Sequence, residues 1–178
     1  MLLRVCVTGP FNSGKSTLVR TLSPGALSID ARTDSPLKGH TTVLMDYGSL
    51  ELDGVTVRLL GTPGQPRFRA VIAGILSMPL DGALFLVDSS DPANLMAGRM
   101  MYWSLMGLLP VHVVAANKQD RPTAAPPERV REILRVPPEV PVVPLVATRR
   151  ESALGALDAL IRLIRSAPAP SSPRAPGA

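Results

Sequence analysis

Gly9-Pro10-Phe11-Asn12-Ser13-Gly14-Lys15-Ser16 is the stretch that decides how the rest of the chain reads. It matches G-x-x-x-x-G-K-[ST], and its flanks fit that motif. Leu2-Leu3-Arg4-Val5-Cys6-Val7, just upstream, is an apolar, β-branched strand candidate, and Ser16-Thr17-Leu18-Val19-Arg20-Thr21-Leu22 opens a helix. In a strand, glycine-rich loop and helix, backbone N–H groups and the helix N-terminus converge on anionic oxygens. Gly14 lets the backbone come close, Lys15 reaches the outer phosphates, and the Ser16 hydroxyl is placed for Mg²⁺. Gly9, Asn12, Ser13, Gly14, Lys15, Ser16 and Thr17 are therefore the expected nucleotide-binding positions of this segment.

Outward from the loop, strand and helix candidates alternate. The strands are expected at Leu2–Thr8, Thr42–Leu52, Val55–Leu60, Gly82–Val87, Val111–Ala116 and Val142–Val146, with Asp53-Gly54 closing a tight hairpin between the second and third. Helical spacing of apolar residues covers Ala93–Leu109, Glu128–Leu134 and Ser152–Ile164; in the last, Leu154, Leu157, Leu160, Ile161 and Ile164 form one stripe. The expected fold is α/β: three layers, a six-stranded and mostly parallel sheet with one antiparallel edge pair, and helices on both faces, as in phosphate-loop NTPases. Ligands of such sheets sit beyond the C-terminal strand ends, where the motifs fall. Met96, Met100, Met101 and Met106 on the long helix read either as core filling or as an adaptable partner surface.

The 178 residues suit one domain over 1–166 followed by a Pro/Ala/Ser-rich tail over 167–178, expected to be disordered. Aromatic content of 3% makes the core aliphatic. The single cysteine, Cys6, excludes an intramolecular disulfide and suits a reducing cytoplasm. A strand that starts almost at Met1 leaves no room for a signal peptide, and no apolar run has the ~18–20 residues of a membrane span. The net charge of +5 is uneven, about neutral over residues 1–120 and basic over 121–178. That basic half reads as a face for an acidic partner or for peripheral membrane contact, or as the solvated sides of two helices. With no aromatic interleaving, nucleic-acid binding is not expected.

A second motif, Asn117-Lys118-Gln119-Asp120, follows the fifth strand. A carboxylate accepts two hydrogen bonds from guanine, at the ring N–H and the exocyclic amine, whereas adenine offers no such donor pair. Asp120 therefore selects guanine, Lys118 lays its alkyl stem along the base, and Asn117 ties this loop to the phosphate loop.

Together these residues resemble the Ras-like small GTPases over about residues 2–165. The resemblance implies bound GTP or GDP with Mg²⁺, and a switch that hydrolyses GTP. Thr42, in Thr41-Thr42-Val43-Leu44-Met45-Asp46-Tyr47, looks like the first-switch threonine and would join Ser16 as a metal ligand. Gly61-Thr62-Pro63-Gly64-Gln65-Pro66-Arg67-Phe68 looks like the second switch, which makes Gly64 the γ-phosphate-sensing glycine and Gln65 the residue that orients water, with Lys15 on the phosphates. Ala147 stands where the family's last guanine loop supplies a backbone N–H. Gly-Pro-Phe-Asn-x-Gly-Lys, Thr-Thr-Val-x-x-Asp-Tyr-Gly and Gly-Thr-Pro-Gly-Gln resemble a prokaryotic subgroup. It is related to the gliding-motility polarity GTPase and to GTPases of actinobacterial multi-gene operons, so a roadblock-domain partner is implied.

Two positions depart from that family. Gly61 stands in place of the Walker B aspartate, and Asp46 on the neighbouring strand replaces its charge if it points inward. Phe11, bulky in the phosphate loop, crowds the route of an external arginine finger and favours slow hydrolysis; Arg32, Arg67 and Arg69 are cis candidates, with Lys38 and His40 near Thr42. The leading expectation is a GTP-dependent switch in prokaryotic signalling or polarity. The alternatives are a non-hydrolysing guanine-nucleotide module and, less well matched to Asp120, an ATPase.

Overall fold

A computed structural model describes residues 1–35 and 39–166, apart from the side chains of 28–44 and 66. The expected tail over 167–178 lies outside the described residues, as do the side chains of Arg32, Lys38, His40 and Thr42.

Among the described residues, seven strands form one sheet: β1 (Leu2–Thr8), β2 (Leu27–Ser35), β3 (Gly39–Leu52), β4 (Val55–Gly61), β5 (Gly82–Asp88), β6 (His112–Asn117) and β7 (Val142–Pro144). Their order is β2-β3-β4-β1-β5-β6-β7. β1 pairs in parallel with β4 on one side and β5 on the other, and β6 and β7 continue the parallel half. The six expected strands all form, and the mostly parallel α/β architecture stands. The count is corrected by β2, which extends the antiparallel edge through a nine-residue register with β3. Its alternation of Leu27, Ile29 and Ala31 with Ser28, Asp30 and Arg32 carries the period-2 signal of an edge strand, diluted by charge. β3 and β4 meet at Asp53 and Gly54, both at positive φ (48° and 74°), as a two-residue hairpin turn demands. β7 ends at Pro144, short of the expected Val146, although the Leu145 N–H still donates to the Ala116 carbonyl at 2.9 Å.

The helices are α1 (Lys15–Leu22), α2 (Arg69–Leu76), α3 (Pro92–Leu105), α4 (Pro127–Leu134) and α5 (Arg150–Ser166). The sequence places no helix at α2: Arg69–Leu76 is apolar at nearly every position and carries Gly74 in its interior, so no polar face marks a helical period. Strand alternation assigns the two faces. Val5, Val7, Leu84 and Leu86 point towards α1 and α5, whose Leu18, Val19, Leu22, Leu157, Leu160 and Ile161 close one core. Cys6, Ala83, Phe85 and Val87 point the other way, against Ile72 and Leu76 of α2, Leu95 and Tyr102 of α3 and Val130 and Leu134 of α4. Burial pushes the Cys6 thiol up to about 12, so it packs as a small apolar residue. Arg150 of α5 donates to the Thr21 and Leu22 carbonyls at 2.8 and 3.1 Å, which satisfies the end of α1 and couples the helices. No described helix is long and apolar enough to cross a membrane.

Candidate functional site

The sheet changes winding direction at β1, and the loop that leaves its C-terminal end is Gly9–Gly14. Backbone geometry explains the glycines. Gly9 has φ 140°, and a Cβ there would lie 2.1 Å from the Leu86 carbonyl oxygen. Gly14 has φ 99° and caps α1; its Cβ would lie 2.2 Å from Asn117 Nδ2. Asn12 is held at φ 65°, a region that Asn tolerates better than most side chains. The loop curls so that Lys15 Nζ donates to the Pro10 carbonyl at 2.6 Å, with Ser13 Oγ at 3.4 Å. Burial pushes the Lys15 ammonium down to about 8, while the nearby Asp46 carboxylate opposes that shift.

Asn117, fully buried at the end of β6, joins three segments. Its Nδ2 donates to the Ser13 carbonyl at 2.8 Å and its Oδ1 accepts from the Ala147 N–H at 2.9 Å. The tie expected between this residue and the phosphate loop is present, and the missing Cβ of Gly14 makes room for it. Lys118 adopts φ 65° and anchors its Nζ on Asp88 Oδ2 at 2.5 Å. Burial pushes the Asp88 carboxyl up, but hydrogen bonds from Lys118 and Ser90 outweigh it and leave the group below its ordinary value. Asp88 therefore stays ionised and fixes the Lys118 stem.

Two cavities flank this framework. One, of about 460 Å³, is lined by Lys15, Ser16, Asp46, Gly64 and Gln65, together with Phe11, Asn12, Thr17, Thr62 and Arg67. The other, of about 150 Å³, is lined by Asp120, Lys118, Asn117, Val146, Ala147 and Thr148. Gly14, Thr17 and Lys118 border both, so the two cavities adjoin at the start of α1. The first gathers cationic and N–H donors suited to phosphates; the second sets the exposed Asp120 carboxylate at its rim, suited to a donor-rich planar base. Gly64 packs on the phosphate loop: a Cβ there would lie 2.5 Å from Lys15 Nζ and 2.7 Å from the Phe11 N–H. Gln65 sits at the same rim. Thr62 Oγ1 donates to Thr8 Oγ1 at 2.9 Å, pinning the start of this segment to β1. Of the cis arginine candidates, Arg67 lies over the Phe68 ring at 4.9 Å and borders the larger cavity, while Arg69 is exposed at the start of α2.

Asp46 points inward. By strand alternation it shares a face with Gly48 and Leu50, both buried, and it lines the larger cavity across from Gly61. A Cβ on Gly61 would lie 3.2 Å from the Asp46 Cβ and 3.3 Å from its carbonyl oxygen, so a longer side chain at 61 would compete for that space. Arg20 Nη2 approaches Asp46 Oδ1 at 3.5 Å. Among the described residues no three His, Cys, Asp or Glu side chains cluster, so there is no all-protein metal cage. The hard oxygens of Ser16 and Asp46 nevertheless fit Mg²⁺, which keeps several waters and takes its other ligands from phosphates. The expected metal ligand Thr42 contributes a backbone position in β3 opposite Arg32; its side chain is outside the described residues.

Two residues of this framework carried no motif. Asn94 of α3 is buried; its Nδ2 donates to the Phe11 carbonyl at 2.7 Å and its Oδ1 accepts from the Asp88 N–H at 2.9 Å, clamping the phosphate loop to β5. Gln119 donates through Nε2 to Ser89 Oγ and to the Ala125 carbonyl, both at 2.8 Å, holding the Asp120 loop from behind.

Comparison with known proteins fits this geometry. No curated protein sequence matches the chain. Among solved structures, the Arl6 BBS3 small GTPase from Trypanosoma brucei with a bound nucleotide analogue is similar at 19% identity and TM-score 0.72, over 93% of this chain and 98% of that one. The FeoB G domains of T. maritima (17% identity, TM-score 0.63, 93% and 98% covered) and Methanococcus jannaschii (18%, 0.66, 93% and 99%) are similar in the same way. At these identities the likeness is one of fold. The family model of the elongation factor Tu GTP binding domain matches residues 1–166. With a phosphate loop at the end of β1 and an N-K-x-D loop at the end of β6 locked together by Asn117, the chain belongs to the elongation factor Tu GTP-binding-domain family and is a phosphate-loop GTP-binding G domain.

Proposed function

We propose that this G domain is a molecular switch that hydrolyses GTP slowly on its own and alters its affinity for a partner protein accordingly. The observation that carries the reading is Asn117: one side chain bonds both the phosphate-loop carbonyl of Ser13 and the Ala147 N–H, so base and phosphate recognition act as one site. In this reading Asp120 accepts from guanine, Ala147 lines the base cavity with its N–H held by Asn117, and Lys118 supports the base. Lys15, with the N–H groups from Asn12 to Thr17, holds the phosphates. Ser16 and Thr42 are the residues that would hold Mg²⁺, which would supply charge to neutralise the phosphates. Gln65 orients the attacking water; no side chain forms a covalent bond, and catalysis is positioning and electrostatics. Gly64, already packed against Lys15 and Phe11, is the contact through which the second switch senses the γ-phosphate.

The finer reading follows the resemblance of Gly9–Lys15, Thr41–Gly48 and Gly61–Gln65 to the prokaryotic subgroup: a cytoplasmic signalling or polarity switch with a roadblock-domain regulator. Single-turnover hydrolysis of GTP is the test of switch chemistry. Wild type is expected to convert bound GTP to GDP slowly, and Gln65→Leu to slow it by about 10²-fold or more, the scale of losing one positioned group. A second reading, a non-hydrolysing nucleotide module, is favoured by Phe11, 59% exposed at the rim beside Gln65. No conversion in the wild type would select it.

Asp46 provides a further expected outcome. Its carboxylate faces the larger cavity, where Gly61 contributes no charge, so it supports Mg²⁺ through water. Asp46→Ala should raise the Mg²⁺ concentration needed to slow release of a non-hydrolysable GTP analogue by about tenfold, the lower end for loss of an outer-shell partner. Titrating Mg²⁺ against nucleotide dissociation rates measures it; an unchanged midpoint would show that Asp46 plays no part.

A further inference from the structure

The four methionines of the long helical segment divide in the fold. Met101 and Met106 pack against the core, whereas Met96 and Met100 are 51% and 74% exposed. Trp103, 50% exposed, continues their stripe: positions 96, 100 and 103 lie one above another on a single face of α3. The indole is pre-set. Its Nε1 donates to the Leu134 carbonyl at 2.9 Å, at the end of α4, and its ring stands edge-on to Tyr102 with centroids 6.2 Å apart. An exposed aromatic held this rigidly keeps its apolar face available at little entropic cost on binding.

Between Trp103 and α4 lies a cleft of about 350 Å³ lined by Arg99, Met100, Trp103 and Arg135, none of which borders the two nucleotide-side cavities. Its charge has one sign. Neither Arg99 nor Arg135 has a carboxylate partner among the described residues, and Glu132, the acid nearest along α4, is taken by Arg129 at 2.6 Å. Three other arginines of this half are engaged: Arg131 with the Pro137 and Val140 carbonyls, Arg150 with α1, Arg162 with Asp158. Arg135 also stands at φ 55°, a helix-ending position that Gly or Asn fills more readily. Met, Trp and Arg are residue types enriched at protein interfaces. The chain's own segment 167–178 holds Arg174 and no Asp or Glu, so it does not complement the cleft.

We propose that the α3–α4 cleft docks an acidic amphipathic helix of a partner protein. Its apolar residues seat on Met96, Met100 and Trp103, and its carboxylates pair with Arg99 and Arg135. Apolar contact supplies most of the affinity and the two guanidinium groups supply register and charge selectivity.

Trp103 is the only tryptophan of the chain, so its emission reads this cleft alone. The experiment selects a displayed library of amphipathic helices of about four turns, Leu-faced and with the remaining positions varied among Glu, Lys and Gln. Selection is on the full-length protein, and each enriched peptide is titrated against Trp103 emission. Enriched peptides are expected to be Glu-rich beside the Leu face and to shift that emission saturably. They should lose at least about tenfold in affinity on Arg99→Glu/Arg135→Glu, with a weaker loss on Arg99→Gln/Arg135→Gln and with added salt. The proposal is overturned if nothing is enriched, if enriched peptides are Lys- or Gln-rich, or if charge reversal leaves binding unchanged in a variant that melts as wild type does. It is equally overturned if phosphatidylserine vesicles shift Trp103 while the peptides do not, or if sedimentation shows the cleft filled by a second copy.

Discussion

Lys15→Ala is expected to remove guanine-nucleotide binding at ordinary protein concentrations. The ammonium is buried where the phosphate loop curls round it, and no other lysine or arginine of that loop can stand in. Truncating one partner of a desolvated charge pair costs about 2–5 kcal/mol, or about 30-fold to several thousand-fold in Kd. Calorimetry with GDP measures it, and wild-type affinity in the variant would refute the assignment. Lys15 also predicts a pH dependence. In the nucleotide-free chain burial holds its pKa at about 8, below the ordinary 10.5. Between those values the unfolded chain binds more protons than the folded one, so the stability of the free protein should rise with pH across this window. A polyphosphate beside Nζ adds negative charge and raises the pKa again. Nucleotide binding above pH 8 should therefore take up a proton and weaken as pH rises. Calorimetry in buffers of different ionisation enthalpy detects the uptake, and Lys15→Arg should abolish it.

Asn117→Ala is expected to be the other severe substitution, and for a different reason. It removes no charge, but it strips the Ser13 carbonyl and the Ala147 N–H of their partner at a fully buried position. Each orphaned group costs about 1–3 kcal/mol, so the two together cost about 2–6 kcal/mol, divided between weaker nucleotide binding and a lower unfolding midpoint. Asn117→Asp keeps the acceptor for Ala147 but sets a buried carboxylate oxygen against the Ser13 carbonyl, so it should be no milder than Ala. A variant that binds GDP as wild type does would show that the loops hold their geometry without this bridge.

The phosphate loop and the N-K-x-D loop were legible in sequence because each needs particular residue types at fixed spacing next to a strand. Gly14 and Asn117 show how closely the two motifs are fitted, since the glycine's missing Cβ is the space the amide occupies. Elements without such constraints were harder to read. The edge strand β2 mixes Asp30, Arg32 and Asp34 with its apolar positions, and α2 is apolar nearly all round, so no helical period emerges. The direction of Asp46 was readable by parity with Gly48 and Leu50, once β3 is known to run through all three. Asn94 and Asp88 were out of reach, because Asn94 acts through α3 crossing the phosphate loop, a contact separated by 83 residues, and Asp88 through pairing with Lys118 on the neighbouring strand's loop. The methionines illustrate the same limit: helical spacing groups them, and only the packed helix separates Met96 and Met100 from Met101 and Met106.

The central claim is that one site reads guanine through Asp120 while holding the phosphates through Lys15. It is tested most directly by competition binding of GTP, ATP and xanthosine triphosphate to wild type and Asp120→Asn. Asp120 is exposed in the smaller cavity beside Ala147, free to accept from a base. Sites built to hydrogen-bond a ligand reject the analogue that lacks the donors by up to about 10⁴–10⁵-fold, so wild type should prefer GTP strongly. Asp120→Asn should weaken GTP and favour the xanthine nucleotide, whose 2-oxo group accepts from the new amide. Equal affinity of wild type for GTP and ATP, or an unchanged preference in Asp120→Asn, would contradict the account.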